Sequence, residues 1–326
     1  MRRREFIAAL GGAAAWPHGA SAQQSAMPVV GFLHPASPDG NADRVRAFRE
    51  GLKETGFVEG DNVAIEYRWA DNNLERLPAL ATDLVHRRVA VITTFGPPSM
   101  FAAKAATATI PTIFLVPEDP VRLGLVTSLA RPGGNSTGVN FFPAEVSGKR
   151  LALLRELVPS IVRLAVFVDP NVKTSTESTL RDMDIALPTM GLQRQVHYVS
   201  KGGEIDAVFE GFMREPPDAV FVAISASLVD RRVQFALQTM LHKLPATYPV
   251  REFVEVGGLM SYGASLREAI RLTGVYAGRI LKGAKPADLP VVQSDKLELV
   301  INQQTAKMLG IVVPPSLLAR ADEVVE

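Results

Sequence analysis

The sequence of 326 residues contains no cysteine, and this absence excludes several classes of protein. Disulfide frameworks, thiolate zinc sites, iron–sulfur clusters and cysteine nucleophiles all require the missing thiol. A lipid-anchored cysteine at a processed N-terminus is excluded for the same reason. Only five histidines are present, and no two of them have the spacing of a metal-binding pair. We therefore expect no metal site and no cofactor.

Catalytic and nucleotide-binding motifs are also missing. The chain has no H-E-x-x-H metal motif and no G-x-G-x-x-G dinucleotide loop. The nearest approach to a phosphate-binding loop, at 278–285, has alanine where that motif needs lysine. An acid–base pair could still be assembled from Asp and Glu residues that are distant in sequence. The missing motifs favour a binding protein and leave an enzyme as an alternative.

The sequence has little net charge and no long hydrophobic run after its first segment. The formal charge is +1, and removal of residues 1–22 takes away three arginines and one glutamate and leaves −1. A nearly neutral chain has no electrostatic basis for binding nucleic acid or anionic lipid. No later stretch reaches the ~18 consecutive apolar residues of a membrane span. With 47% hydrophobic and 21% charged residues, the composition is that of a soluble globular protein.

The first 22 residues have the pattern of an export signal. Three arginines at 2–4 precede a weakly apolar stretch at 8–16, and small residues at 20 and 22 fit a signal peptidase. The stretch is too short to cross ~30 Å of hydrocarbon as a stable helix. Paired arginines followed by Phe6 resemble a twin-arginine signal, with Sec export as the alternative. The pattern predicts a signal peptide over 1–22 and a periplasmic protein.

The rest of the chain alternates short apolar runs with amphipathic segments, in two series. Runs such as 28–33 predict strands, and apolar residues at helical spacing predict helices, including one near 121–129. The prediction is an α/β fold of two Rossmann-like doubly wound lobes joined by a multi-strand hinge. The predicted domains are the signal peptide at 1–22, lobe 1 at 28–141 plus 262–285, and lobe 2 at 142–261 plus 286–326.

Ligands of open parallel sheets bind beyond the carboxyl ends of the strands, where helix N-termini present unpaired N–H groups. The residues that follow each predicted strand are therefore the candidate ligand-binding residues. They are His34, Ser37, Phe95, Gly96, Ser99, Glu118, Asp119, Asn140, Phe141, Asp169, Asn171, Ser225, Tyr248 and Tyr262.

Each polar candidate also has a purely structural interpretation. Gly96 and Ser99 form either a carboxylate cradle or a plain helix N-cap. Asp119 and Asp169 either bind an ammonium group through charge-assisted hydrogen bonds or cap helices. His34 hydrogen-bonds either a ligand or the turn that follows it.

The aromatic candidates also have two interpretations, as ligand contacts or as core residues. Phe95, Phe141, Tyr248 and Tyr262 could sandwich an apolar or aromatic group of a ligand. Aromatic residues near strand ends are also commonly packed into the core. The sequence leaves both interpretations open.

Several motifs carry a resemblance to a known family. DPV at 119–121, RPGGN at 131–135, GGLMSYG at 257–263 and RILKG at 279–283 occur in one order along the chain. With them, nearly the whole chain resembles ABC transporter solute-binding proteins of the tryptophan/tyrosine-uptake type. The resemblance implies a type I periplasmic-binding fold with three hinge crossings and a cleft that closes on a small molecule. It also implies an amino-acid-like ligand, which is aromatic in characterised relatives.

The sequence departs from the family pattern at two places. Pro97 and Pro98 stand where a turn of small residues is usual, and they remove two backbone donors from the predicted carboxylate cradle. Asp169 replaces the asparagine that the family pattern implies, and its added negative charge favours binding of an amine. The ligand need not be that of the relatives.

The sequence thus predicts the periplasmic solute-binding component of an ABC importer, which binds a small ligand without catalysis. Its implied partners are the permease and ATPase subunits in the inner membrane, and we expect a monomer. Two alternatives remain open. One is a periplasmic sensor that reports ligand occupancy to a signalling receptor, and the other is an exported α/β enzyme with a carboxylate site in the cleft.

Overall fold

The computed structural model describes residues 27–141, 146–294 and 296–326. The predicted signal peptide at 1–22 lies outside the described residues. Two sheets alternate with helices, as the alternation of the sequence predicts. The apolar run of the first strand becomes a central strand that is buried along almost its whole length. Such continuous burial is expected where helices cover both faces of a parallel sheet.

Lobe 1 is built on the first sheet. Its strands are Val29–His34 (β1), Ala64–Trp69 (β2), Val91–Phe95 (β3), Thr112–Val116 (β4), Ser136–Asn140 (β5) and Val292–Gln293 (β11). Its α-helices are Ala42–Glu54 (α1), Leu77–His86 (α2), Gly96–Ala106 (α3) and Leu266–Leu281 (α9), with short 3-10 turns at Leu74–Arg76 and Pro286–Asp288. The described strands have the order β11-β5-β4-β3-β1-β2 and pair in parallel.

Lobe 2 is built on the second sheet. Its strands are Arg163–Val168 (β6), Gln193–Tyr198 (β7), Ala219–Val222 (β8), Ala246–Tyr248 (β9), Met260–Ala264 (β10), Leu297–Asn302 (β12) and Glu323–Val325 (β13). Its helices are Val146–Leu157 (α4), Lys173–Met190 (α5), Gly202–Phe212 (α6), Ala226–Asp230 (α7), Arg232–Leu241 (α8), Gln303–Met308 (α10) and Pro315–Leu318 (α11), with a 3-10 turn at Arg251–Phe253. The described strands have the order β13-β12-β10-β9-β8-β6-β7, in which β10 and β12 are antiparallel.

The chain passes between the lobes three times, between β5 and α4, between β10 and α9, and between β11 and β12. β10 pairs with β9 and β12, so residues 262–264 belong to the second sheet. β11 pairs with β5, so residues 292–293 belong to the first. The predicted boundaries before residue 262 and after residue 285 differ from this pairing. A strand of two residues such as β11 has too little pattern to be recognised in a sequence.

Helix α9 is attached to lobe 1 by its packing on α1. Gly51 of α1 and Gly274 of α9 allow the two backbones to approach closely. Arg267 pairs with Glu50 at 3.0 Å beside this contact. The helix therefore belongs to lobe 1, although it follows most of lobe 2 in sequence.

The helix predicted near 121–129 does not form. The N–H of Leu125 donates to the carbonyl of Pro120 at 2.9 Å, and Gly124 then adopts a left-handed φ of 67°. A left-handed residue ends a right-handed helix, and glycine reaches that conformation without steric cost. The segment is therefore a turn that leads from β4 toward β5.

Candidate functional site

The carboxyl ends of strands from both sheets meet around one interlobe space of about 340 Å³, which we call the cleft cavity. His34 and Phe95, at the ends of β1 and β3, line it from lobe 1. Asp169 and Ser225, which follow β6 and β8, line it from lobe 2. Its volume lies in the range of ~300–1,000 Å³ that is typical of small-molecule sites. Strand ends that the sequence singled out therefore line one shared cavity.

The lobe 1 wall of the cleft cavity is aromatic. The imidazole of His34 is centred 4.9 Å from the Trp69 ring and 5.0 Å from the Phe95 ring. Phe32 lies behind them, with its ring 4.4 Å from that of Phe95. Phe95 and Phe141 both line the cavity itself. This wall offers ring faces and edges to a planar apolar group.

His34 hydrogen-bonds the turn that follows it, as one of its two interpretations predicts. Its Nδ1 accepts the N–H of Ala36 at 3.1 Å, so the following turn is its partner on that side. The ring is 2% exposed, and it also lines the cleft cavity. Burial, with a smaller contribution from the Arg44 guanidinium, holds the pKa of His34 well below its usual 6.5. The imidazole is therefore neutral at pH 7 and carries its proton on Nε2.

The lobe 2 wall is polar and is organised around Asp169. Its side chain is 4% exposed, and its Oδ1 accepts the N–H of Asn171 at 2.9 Å. The hydroxyl of Ser227 donates to its Oδ2. Each carboxylate oxygen keeps a lone pair for a further donor. Asp169 can therefore accept a charge-assisted hydrogen bond from an ammonium group in the cavity.

Three cationic side chains, Arg44, Lys201 and Arg231, line the same cavity. Arg44 is 9% exposed and donates from Nη1 to Oδ1 of Asn41 at 2.6 Å. Burial lowers the pKa of Arg44, and the charges of Glu252 and Asp230 oppose that shift. In the described part of the chain, no group of three or more His, Cys, Asp or Glu residues is arranged to hold a metal ion.

Arg44 and a pair at the end of β2 were missed by the sequence reasoning. Arg44 lies in the first turn of α1, several residues beyond the end of β1. Asp71 and Asn72 lie two and three residues after the end of β2 and line the cavity, so the strand-end rule applied to that strand would have identified them. Nothing in the sequence pattern distinguishes Arg44 from the exposed arginines of the same helix.

Seven predicted residues line the cleft cavity, among the described residues: His34, Phe95, Gly96, Phe141, Asp169, Asn171 and Ser225. Glu118, Asp119 and Asn140 line a second interlobe space of about 330 Å³ instead, which we call the side groove. The two spaces share Pro117, Ser175 and Ile224 in their walls. The hydroxyl of Ser175 donates to Oε1 of Glu118, and burial raises the pKa of Glu118. This contact joins the two lobes.

Asp119 and Asn140 both hold the backbone where β4 passes into the loop that follows it. Oδ1 of Asp119 accepts the N–H of Val121 at 2.8 Å, which is the capping interpretation. Nδ2 of Asn140 donates to the carbonyls of Val116 at 3.1 Å and Glu118 at 2.8 Å. The interpretation of Asp119 as an ammonium ligand is not supported, because its carboxylate serves the turn and faces the side groove.

The predicted carboxylate cradle at Gly96 and Ser99 does not form. Gly96, at φ 76°, begins α3, and Pro97 and Pro98 occupy the first turn and line the cavity. Prolines have no N–H to donate. The Ser99 side chain is fully buried, and its hydroxyl has no hydrogen-bond partner among the described residues. This edge of the cavity presents ring carbons instead of donors.

Ser37, Tyr248 and Tyr262 lie outside the lining that the described residues give to either interlobe space. Tyr248 is fully buried, its hydroxyl lies 2.9 Å from that of Thr239, and its ring stacks on Phe253. Tyr262 packs on the apolar core of lobe 2. The carbonyl of Ser37 accepts Nδ2 of Asn41 at 2.8 Å. These three residues have structural roles in place of the predicted contacts with a ligand.

Comparison with known proteins agrees with this architecture. The chain resembles the tyrosine-binding protein of Clostridioides difficile (strain R20291), with 26% identity over 270 residues that cover 82% of this chain and 76% of that protein. The structure of the ABC domain in complex with L-Trp from Streptococcus pneumonia has a TM-score of 0.82 and 25% identity, and covers 91% of this chain and 99% of that one. The crystal structure of a conserved domain protein from Vibrio cholerae has a TM-score of 0.83 and 24% sequence identity. The match covers 91% of this chain and 99% of that one.

These similarities establish the fold and the family. The structural neighbours are type I periplasmic-binding proteins, so the fold implied by the sequence motifs is confirmed. Residues 29–325 match the sequence profile described as ABC transporter substrate binding protein, which spans nearly all of the described chain. The chain therefore belongs to the ABC transporter substrate binding protein family.

Proposed function

We propose that this protein is the periplasmic solute-binding component of an ABC importer and that its cleft cavity binds an aromatic amino acid. One observation carries the proposal: the cavity lies between an aromatic wall on lobe 1 and a buried carboxylate, Asp169, on lobe 2. The relatives support the ligand class, because one is named a tyrosine-binding protein and another was solved in complex with L-Trp.

The ligand ring would occupy the side of the cavity formed by Phe95, Phe141 and His34. Leu266 and Ile270 of α9 line the same space. Aromatic side chains bury ~150–250 Å² each, which at about 25 cal/mol per Å² corresponds to several kcal/mol. A neutral His34 suits this role, since an imidazolium would bring a charge into the apolar wall.

The polar end of the ligand would lie against lobe 2. Asp169 would accept hydrogen bonds from the ammonium group, and Lys201 and Arg231 of lobe 2 would balance the carboxylate together with Arg44, which reaches the cavity from lobe 1. Contacts with both lobes can form together only when the lobes are closed. The ligand therefore shifts the protein toward the closed state, by as much as its affinity for the closed state exceeds its affinity for the open one. The closed protein would then be recognised by the permease as a monomer, without a cofactor and without chemical change to the ligand.

Calorimetry with a panel of amino acids tests the proposal. We expect L-tryptophan, L-tyrosine or L-phenylalanine to bind with a dissociation constant on the order of 1 μM, which corresponds to about −8 kcal/mol. L-leucine, L-lysine and L-glutamate should bind at least tenfold more weakly. Recovery of the unaltered ligand after long incubation is expected. Chemical turnover, or equal binding of all six compounds, would contradict the proposal.

A pair of aspartate variants locates the ammonium site. Asp169→Asn should weaken binding by about 10- to 100-fold, because hydrogen bonds to charged groups contribute ~1.5–3 kcal/mol. Asp218→Asn is the matched control, since this carboxylate accepts the N–H groups of Val162 and Arg163 at the opposite end of the sheet. The control should lower stability and leave affinity unchanged. Equal affinities in the two variants would remove Asp169 from the site.

A further inference from the structure

Asp230, the last residue of α7 in lobe 2, accepts hydrogen bonds from two asparagines of lobe 1. Nδ2 of Asn41 lies 3.3 Å from its Oδ1, and Nδ2 of Asn72 lies 3.2 Å from its Oδ2. Beside it, Nη2 of Arg232 donates to the carbonyl of Gly40 at 3.3 Å. One carboxylate thus joins the loops after β1 and β2 to the opposite lobe.

The loop that presents Asn72 has an uncommon backbone. Asp71 and Asn72 are consecutive non-glycine residues with left-handed φ angles of 53° and 61°. Their N–H groups are held by the carbonyls of Ala36 at 3.1 Å and Pro35 at 2.9 Å. Such conformations persist only where the surrounding structure imposes them, and they cluster at functional sites. Here the imposed conformation places the Asn72 amide against lobe 2.

Asp230 differs from Asn72 in its relation to the ligand space. Asn72 lines the cleft cavity, whereas Asp230 is not part of the lining formed by the described residues. The nearby Arg44 is attracted by the charges of Asp230 and Glu252 and repelled by that of Arg232. Asp230 therefore acts on lobe 1 across the rim of the cavity, without a place in the wall that a ligand would touch.

We propose that Asp230, Asn41 and Asn72 form a closing latch that sets ligand affinity through the balance of open and closed lobes. The inference rests on the proposed function, in which the closed state binds the ligand. Apparent affinity is the intrinsic affinity multiplied by the population of the competent state. Loss of the Asp230 carboxylate therefore weakens binding without removing a residue of the cavity wall. It should act mainly on dissociation, because the closed complex opens sooner.

Two variants test the latch, and neither should lower the stability of the unliganded protein. Asp230→Ala should weaken binding of L-tryptophan or L-tyrosine by ~5- to 20-fold, with a faster dissociation rate and an unchanged melting temperature without ligand. Asn72→Gly should also weaken binding, yet it should raise or preserve the melting temperature, because glycine adopts positive φ without strain. A structural role for these residues would instead lower melting temperature and affinity together.

A donor–acceptor exchange examines the pair directly. Asn72→Asp places a carboxylate opposite Asp230 and should weaken binding more than Asn72→Gly does. Adding Asp230→Asn to Asn72→Asp exchanges donor and acceptor, and should restore at least part of the lost affinity. Glu210→Ala, at an exposed carboxylate of α6, is the matched control and should leave affinity unchanged. Absence of any recovery in the double variant would overturn the pairing.

A distance measurement without ligand separates the latch from the ligand assignment. Because the chain has no cysteine, Glu75→Cys in lobe 1 and Glu215→Cys in lobe 2 can carry a pair of spin labels without background. Adding Asp230→Ala should shift the unliganded distance distribution toward the open lobes. A shift without binding of any aromatic amino acid would refute the proposed ligand and retain the latch. If the parent binds an aromatic amino acid and Asp230→Ala changes neither the distances nor the affinity, the latch is refuted and the proposed ligand is retained.

Discussion

Gly51 in α1 and Arg271 in α9 lie so close that a β-carbon on Gly51 would stand 1.9 Å from the carbonyl oxygen of Arg271. A β-carbon on Gly274 would stand 2.1 Å from the carbonyl oxygen of Phe48 in the same contact. The two helices therefore pack backbone to backbone, which no larger residue permits. This contact holds a late segment of the chain on lobe 1.

Gly51→Ala should lower the free energy of unfolding by about 3 kcal/mol, because the added methyl group forces the helices apart. Urea denaturation measures the loss. Gly211→Ala in α6 is the matched control, since a β-carbon there meets nothing within 4 Å. The control should be neutral or stabilising by ~0.5–1 kcal/mol, since alanine favours a helix. Equal behaviour of the two variants would contradict the packing argument.

Stability should fall as the pH drops below about 6.5, and His34 should be one cause. The folded protein holds the pKa of His34 well below its usual 6.5, so only the unfolded chain takes up this proton at mildly acidic pH. As the pH falls from the unfolded to the folded pKa value, the free energy of unfolding decreases by up to ~1.4 kcal/mol per pH unit. Above the unfolded pKa value, the contribution of His34 to stability is fully retained.

Urea denaturation at several pH values checks this dependence. Burial also lowers the pKa of His197, so the parent alone does not isolate His34. We expect His34→Gln to have a shallower decrease than the parent and His197→Gln to keep the His34 contribution. An unchanged slope in His34→Gln would show that this imidazole is not buried in its neutral form.

Asp119→Ala should affect folding and leave ligand binding intact. The carboxylate caps the turn at Val121, and loss of such a cap costs about 1 kcal/mol. Thermal melting and calorimetry on the same sample measure both properties. A tenfold loss of affinity without a change in melting temperature would restore Asp119 to the ligand site.

Tyr248→Phe separates a core aromatic from a ligand-contacting one. The hydroxyl pairs with Thr239 inside lobe 2, so its removal should lower stability by about 1 kcal/mol. Affinity for an aromatic amino acid should stay within twofold of the parent. Weaker binding at unchanged stability would place Tyr248 in the cavity after all.

The sequence predicted the cavity better than it predicted which side chains enter it. Apolar runs predicted the strands, and strand ends in parallel sheets face the cleft, which brought Phe95 and Asp169 into the candidate set. Tyr248 satisfies the same rule, yet it enters the core, because the side-chain direction alternates along a strand and a shift of one residue reverses it. Asp119 and Asp169 both precede proline, and only the fold shows which of the two faces the cavity.

Contacts that join distant segments could not be predicted in this way. Arg44 enters the cavity from the first turn of a helix, and Asp230 reaches Asn41 and Asn72 only because the lobes face each other. Neither position has a local signal. Such partners depend on the relative placement of two sheets, which a single sequence does not encode in any short window.

The late return of α9 and β11 to lobe 1 has a consequence for protein engineering. A fragment that stops at residue 141 would leave the glycine surface of α1 and the edge of β5 uncovered, so one cut does not separate the halves. A chimera that exchanges lobes with a relative needs three matched junctions, one at each passage of the chain. With a single junction, α1 of one parent would have to pack through Gly51 against α9 of the other parent.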